Sequence, residues 1–178
     1  LICVSESENL LSLAYVGNGA ILHLRGNFAE STGNNPLPWA VTNLLNPHTV
    51  SENGKEVLYR FISDDPNPET SEPTLIQLQK DNLHGDILII ATDGLYSADQ
   101  IKIGKNPKGY WTRQNELLMA LFGKLEEFLS VDNQDHRSLK QFLHSYMEDQ
   151  RDQFEDHVAI GIIITPAVFN YLQNSMTP

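Results

Sequence analysis

The sequence predicts an α+β fold in which a mainly antiparallel set of strands packs in layers against segregated helices. Three observations lead there. Short strand-like runs separated by turn residues fill the first half of the chain. Two strongly apolar runs follow, Ile87-Leu88-Ile89-Ile90-Ala91 and Val158-Ala159-Ile160-Gly161-Ile162-Ile163-Ile164. Between those runs stand two stretches with helical periodicity.

Leu1 to Arg25 reads as strand, turn, strand, turn, strand, with breaks at Glu8-Asn9 and at Gly17-Asn18-Gly19, and so predicts a β-meander. The Asn18-Gly19 pair tolerates the positive φ that a tight hairpin turn needs. From Gly26 to Pro47 the chain is rich in Pro, Asn and Gly, which predicts a long loop with one short helical turn over Trp39 to Leu45. Strand character returns over Val57 to Ile62. Asp64-Asp65-Pro66-Asn67-Pro68, with Pro73, then predicts an exposed acidic loop. Thr74 to Leu78 alternates as another strand. After the turn at Gly85-Asp86, the run Ile87 to Ala91 is too short for a stable helix and apolar throughout, the pattern of a strand buried on both faces.

The helical stretches carry their apolar residues at spacings of three and four. Leu117, Leu118, Leu121, Phe122, Leu125, Phe128 and Leu129 line one face of a helix predicted over Thr112 to Leu129. Leu139, Phe142, Leu143, Tyr146 and Met147 do the same over Ser138 to Arg151, with Asp135 or Ser138 as N-cap. The second apolar strand ends at Thr165-Pro166, and a short tail helix follows.

A chain of 178 residues suits one domain, residues 1–178, with a core large enough to need no staple. Its formal net charge of -11, without any cluster of Lys and Arg, argues against a nucleic-acid partner. Cys3 is the single cysteine, so neither an intrachain disulfide nor a thiolate zinc site can form. No apolar run reaches transmembrane length and no basic segment leads into one, which predicts no membrane association and a cytoplasmic location. The chain opens on Leu1 and reads as strand at once, so it is expected to be a processed or truncated chain.

Two carboxylates stand out. Asp93 closes the apolar run that begins at Ile87, and Gly94 follows it. A carboxylate at a strand mouth is rigidly based yet open to solvent, which suits a hard cation such as Mg2+ or Mn2+, and Gly94 leaves room beside it. Asp93-Gly94 is equally an ordinary turn pair. Asp156 stands before the last strand, where an acidic residue is commonly a solvated strand end. The pair gains meaning if the two strands are neighbours, because carboxylates that converge need a cation to offset their repulsion. His23, His48, His84, His136 and His144 show no zinc spacing and read as surface or structural residues.

Three ordered runs carry a resemblance: Leu13-Ala14-Tyr15-Val16-Gly17-Asn18-Gly19-Ala20, Gly85-Asp86-Ile87-Leu88-Ile89-Ile90-Ala91-Thr92-Asp93-Gly94-Leu95-Tyr96, and Glu155-Asp156-His157-Val158-Ala159-Ile160. They resemble, in order, motifs in the C-terminal portion of the catalytic domain of metal-dependent type 2C protein phosphatases. That resemblance implies a sandwich of antiparallel sheets flanked by helices, incomplete at its N-terminus. It implies Asp93, Gly94 and Asp156 at a Mn2+ or Mg2+ site, and hydrolysis of phosphoserine or phosphothreonine in a phosphoprotein substrate by a water held between two such ions. Asn18 departs from the family pattern where many members use an acidic residue to hold an accessory cation, and His157 replaces the usual Asn. The family's upstream Asp-Gly-His-Gly-like segment, a further acidic ligand and a phosphate-binding Arg have no counterpart here, so no catalytic residue is assigned. A missing N-terminal segment or a second chain would supply them, and this chain alone is expected to be inactive. The other reading is a non-catalytic phosphatase relative that acts as a binding or regulatory module.

Overall fold

The computed structural model describes residues 1–25, 40–64, 68–95, 102–105, 111–114, 116–129, 136–154 and 156–175. Among them are eleven strands: β1 (Ile2–Glu6), β2 (Leu10–Tyr15), β3 (Ala20–Arg25), β4 (Ala40–Asn43), β5 (Thr49–Glu52), β6 (Lys55–Leu58), β7 (Thr74–Gln79), β8 (Ile87–Ala91), β9 (Lys102–Lys105), β10 (Trp111–Gln114) and β11 (Ile160–Ile164). Four α-helices accompany them: α1 (Pro68–Ser71), α2 (Glu116–Leu129), α3 (His136–Asp149) and α4 (Pro166–Ser175). Every strand pairing is antiparallel, and the class is α+β. No helix among the described residues is long and apolar enough to cross a membrane.

Two sheets and a helical layer are stacked. The first sheet has the order β1-β2-β7 and the second β11-β8-β3-β4. Side chains alternate across the second sheet, as the pleat requires. Leu22 and Leu24 of β3, with Ile87 and Ile89 of β8, join Leu121, Leu125, Tyr146 and Val168 of the helices in one core. Ile21 and Leu88 point the other way, to Leu11, Leu13 and Tyr15 of β2. Strand β8 is buried on both faces, which its unbroken apolar run demands. Each fully buried Leu of these layers contributes roughly 1.5–3 kcal/mol relative to exposure.

The first three strands do not form a meander. β1 and β2 make a hairpin, but β2 continues its sheet with β7, while β3 lies in the second sheet between β8 and β4. The glycines of the 17–19 corner take φ of 102° and 120° and carry the chain from one sheet to the other. The helical turn expected near residue 40 is instead β4, whose pairing with β3 from Leu22↔Asn43 to Arg25↔Ala40 overrides a weak local preference. The strand expected over Val57 to Ile62 ends at Leu58 and is the second arm of a hairpin with β5. Asn53 and Gly54, with φ of 53° and 76°, form the two-residue turn between them. At the other end of the chain, Thr112 belongs to β10 and α2 starts at Glu116, where the apolar periodicity begins. Ser138 lies inside α3, which starts at His136, and the expected cap Asp135 falls outside the described residues. So do most of the loop expected from residue 26 onward and residues 65–67 of the acidic loop, whose next four residues form α1.

Asp86 fastens the end of β8 where the strand begins. Its fully buried carboxylate accepts from His23 Nε2 at 2.8 Å, Arg25 Nε at 2.7 Å and the Asp81 N–H at 2.7 Å. Its own N–H donates to Thr165 Oγ1 at 2.8 Å, which ties β8 to the end of β11. Burial raises the pKa of this carboxyl, but the hydrogen bonds from His23, Asp81 and Arg25 outweigh burial and hold it below the ordinary value. Folded Asp86 therefore takes up a proton less readily than unfolded Asp86. Its stabilisation is complete above the unfolded-state pKa of about 3.9 and is lost as pH falls through the lower folded-state value. Asp86→Asn is expected to lower stability in urea melts at pH 7 by about 3 kcal/mol and to flatten the acid limb of the stability profile. An unchanged acid limb would show that Asp86 does not govern it.

Candidate functional site

At the opposite end of the second sheet, three segments meet: the 17–19 corner before β3, residues 92–95 after β8, and residues 156–159 before β11. Register brings them together. Ala91 is paired with Ala20 on one side and Ile160 on the other, so whatever leaves β8 emerges between the two neighbouring strand ends. The strands that carry Asp93 and Asp156 are therefore adjacent.

Thr92 stitches the junction. Its N–H donates to Ala159 O at 3.1 Å, its hydroxyl donates to His157 O at 3.1 Å, and the Ala159 N–H donates to Thr92 Oγ1 at 3.0 Å. These bonds continue the ladder one step past the strand and set the direction in which Asp93 leaves it. The Leu95 N–H then closes a turn on Thr92 O at 3.1 Å. Gly94 is buried in that turn. A Cβ built there would lie 2.8 Å from His157 O, 3.0 Å from Val158 Cγ2 and 3.3 Å from Asp156 O. The small residue lets the turn sit directly on the backbone that carries Asp156.

Asp93 is half-buried and Asp156 exposed. Asn18 Nδ2–H donates to Asp93 Oδ2 at 2.6 Å, and because an ionised carboxylate only accepts, this contact orients the amide. Asp156 Oδ1 accepts from the His157 N–H at 2.6 Å and lies 3.3 Å from His157 Nδ1. The backbone N–H of His157, followed by its side chain, lowers the Asp156 pKa below the ordinary carboxylate value. Glu155 falls outside the described residues.

The donors present are hard oxygens, the kind that Mg2+ and Mn2+ take. Asp93 has one carboxylate oxygen engaged by Asn18, and Asp156 faces solvent, so the chemistry of this donor set fits such an ion with much of its hydration kept. Among the described residues, no group of three or more His, Cys, Asp or Glu side chains is gathered closely enough to hold a metal ion. The remaining histidines are dispersed. His23 is bound to Asp86, His48 is buried against Tyr15, His84 pairs with Asp81, and His144 is exposed on α3. Sequence reasoning had no signal for Thr92, whose partner Ala159 lies 67 residues further along the chain.

No family model matches this chain, and no curated protein sequence matches it. Among solved structures, the chain is similar to the Mycobacterium tuberculosis serine/threonine phosphatase PstP/Ppp, with a TM-score of 0.47 and 16% identity over 90% of this chain and 57% of that one. It is also similar to the phosphatase domain of the cell fate determinant SpoIIE from Bacillus subtilis, with a TM-score of 0.40 and 14% identity over 92% of this chain and 57% of that one. The chain thus spans little more than half the length of either structure.

The close seating of Gly94 gives a direct test. Gly94→Ala is expected to cost roughly 1–3 kcal/mol in a urea melt, the usual range for overpacking, and to shift the amide resonances of residues 156–158. A neutral substitution with unmoved resonances would show that the two turns are not held together as described.

Proposed function

We propose that this chain supplies part of the metal site of a metal-dependent, type 2C-like protein phosphatase acting on phosphoserine or phosphothreonine. The observation that supports the proposal is the pairing of β8 with β11 at Ala91 and Ile160, with Asp93 two residues after the one strand and Asp156 four residues before the other. The three ordered sequence runs quoted above supply the reaction class. Asp93 and Asp156 would hold Mn2+ or Mg2+, with the Gly94 turn beside them. When bound, such ions lower the pKa of a water, screen the charge of a phosphoryl group and orient the attack.

The side chains of this chain do the positioning. Asn18 holds one oxygen of Asp93 and leaves the other to face a ligand, while Thr92 fixes the strand end from which Asp93 projects. Two carboxylates alone hold a hard cation weakly, so a complete site would need ligands beyond this pair, which an N-terminal segment or a second chain would supply. The lone cysteine, Cys3, is exposed and suits a reducing, cytoplasmic setting.

One observation favours a second reading. Asn18 places a neutral amide, not a further carboxylate, against Asp93, and that suits a non-catalytic relative that keeps the fold and acts as a binding module.

Titration with Mn2+, followed by calorimetry or water-proton relaxation, tests the first reading. The 178-residue chain is expected to bind weakly. Asp93→Asn should weaken binding by at least about tenfold, the lower end of what losing a mere supporting partner costs a metal site. Equal affinity in the variant would remove Asp93 from the site. The chain by itself is expected to hydrolyse no p-nitrophenyl phosphate. Chelator-sensitive turnover that disappears in Asp93→Asn would instead establish catalysis by this chain and rule out the non-catalytic reading.

A further inference from the structure

The residue that presents its amide to Asp93 sits on a corner made almost entirely of glycine. Gly17 is buried, with φ of 102° and nothing within 4 Å of where a Cβ would be, so only its backbone groups can hold it. Gly19 is seated on β8, with a Cβ position 2.5 Å from Ala91 O. A corner of glycine has few side-chain contacts to order it, so the 2.6 Å hydrogen bond between Asn18 and Asp93 depends on backbone contacts that hold the corner in place.

His48 provides that restraint. Its N–H donates to Gly17 O at 3.0 Å, and the Gly17 N–H donates to its ring Nδ1 at 3.3 Å, so one residue grips both polar groups of Gly17. A backbone N–H can only donate, so Nδ1 is the unprotonated ring nitrogen. Nε2 then carries the proton and donates to Thr74 Oγ1 at 2.8 Å. The ring is only 3% exposed and stacks on Tyr15, with centroids 5.0 Å apart and planes 20° apart. Tyr59 closes its other flank at 5.7 Å, and the Tyr59 N–H donates to His48 O at 2.9 Å. Tyr15 is fixed in turn, its hydroxyl lying 3.0 Å from Asn46 N and 3.2 Å from Asn46 O. Burial, helped by nearby Arg60, lowers the His48 pKa and so favours the neutral ring that this arrangement uses.

We propose that His48 is a positioning residue for the candidate metal site: by clamping Gly17 it places the Asn18 amide on Asp93 and so sets which carboxylate oxygen remains free. The consequence for metal binding rests on the reading of Asp93 as a ligand; the clamp itself rests on the contacts alone. The bond from the residue-48 N–H to Gly17 O is open to any residue but proline, whereas a residue that merely filled the space between the sheets would need no acceptor at Nδ1 for the Gly17 N–H.

Two variants separate these roles. In His48→Asn the side-chain Oδ1 can take the place of Nδ1 and accept from Gly17, while the Thr74 contact is lost. In His48→Gln the longer side chain reaches toward Thr74 and leaves Gly17 without its acceptor. Both remove the ring, so both lose packing to a similar degree, which urea melts will report. Hydrogen exchange of the Asn18 side-chain amide, followed by NMR, is expected to stay near the wild-type rate in His48→Asn. In His48→Gln it should rise by about tenfold, the effect of one lost hydrogen bond. Mn2+ affinity should follow the same order. Equal exchange in the two variants overturns the clamp, whatever the melts show. In the unsubstituted protein, the His48 15N shifts should report a bare Nδ1 and a protonated Nε2, and the reverse tautomer overturns the clamp without any variant. If the wild-type chain binds no Mn2+, the metal assignment of Asp93 falls, while the exchange and tautomer measurements still decide the clamp.

Discussion

Strand β8 is the constraint on which the rest of the molecule depends. Its five residues are enclosed by β3 and β11 at the sides, by helices on one face and by the first sheet on the other. A strand enclosed in this way has no freedom to slip, because a shift of one residue would turn its whole apolar set onto the wrong face. Everything fastened to its two ends inherits that rigidity. Asp86 stands just before it and Asp93 two residues after it, and the pairings of Ala91 with Ala20 and Ile160 determine which loops surround Asp93.

The two carboxylates at the ends of β8 meet opposite treatment. Asp86 is fully buried and bound by a histidine, an arginine and a backbone amide, which leaves it little capacity for an outside ligand. A buried carboxylate has to be saturated in this way, since an unpaired one would cost several kcal/mol. Asp93 is half-buried with one oxygen engaged by a neutral amide, and Asp156, across the sheet junction, faces solvent. The same residue type therefore serves as a fastener where its hydrogen bonds are complete and as a candidate ligand where they are not.

Small residues make the candidate site compact. Gly19 allows the corner to touch Ala91, and Gly94 allows the turn after β8 to rest on the backbone of Asp156 and His157. Polar contacts then supply the direction that glycine cannot. Thr92 aligns the strand exit, and His48 holds Gly17 from the side of the first sheet. The region under Asp93 is thus braced from both sheets, which fixes the backbone from which its carboxylate projects.

The amino-acid sequence by itself pointed to the apolar strands beginning at Ile87 and near Val158, the second of which the structure starts at Ile160, and to the two amphipathic helices and the α+β class; it also singled out Asp93 and Asp156 as carboxylates beside those strands. Those features are local, because a period of two or of three to four residues states which face of an element is buried. The Asn53-Gly54 turn of the β5–β6 hairpin also carries a local signal, for Asn-Gly is a pair that accepts positive φ at both positions. Only the tertiary structure decided that β2 pairs with β7 and not with β3, since alternation shows a strand's faces but never its neighbour. β4, assembled on the edge of β3, was beyond local reading for the same reason. The contacts of Asn18 with Asp93, of Thr92 with Ala159 and of His48 with Gly17 join residues 75, 67 and 31 positions apart, and no pattern in the chain encodes them. They exist because antiparallel pairing brings the end of one strand beside the beginning of another, and hydrogen bonds form between whatever side chains that geometry leaves within reach.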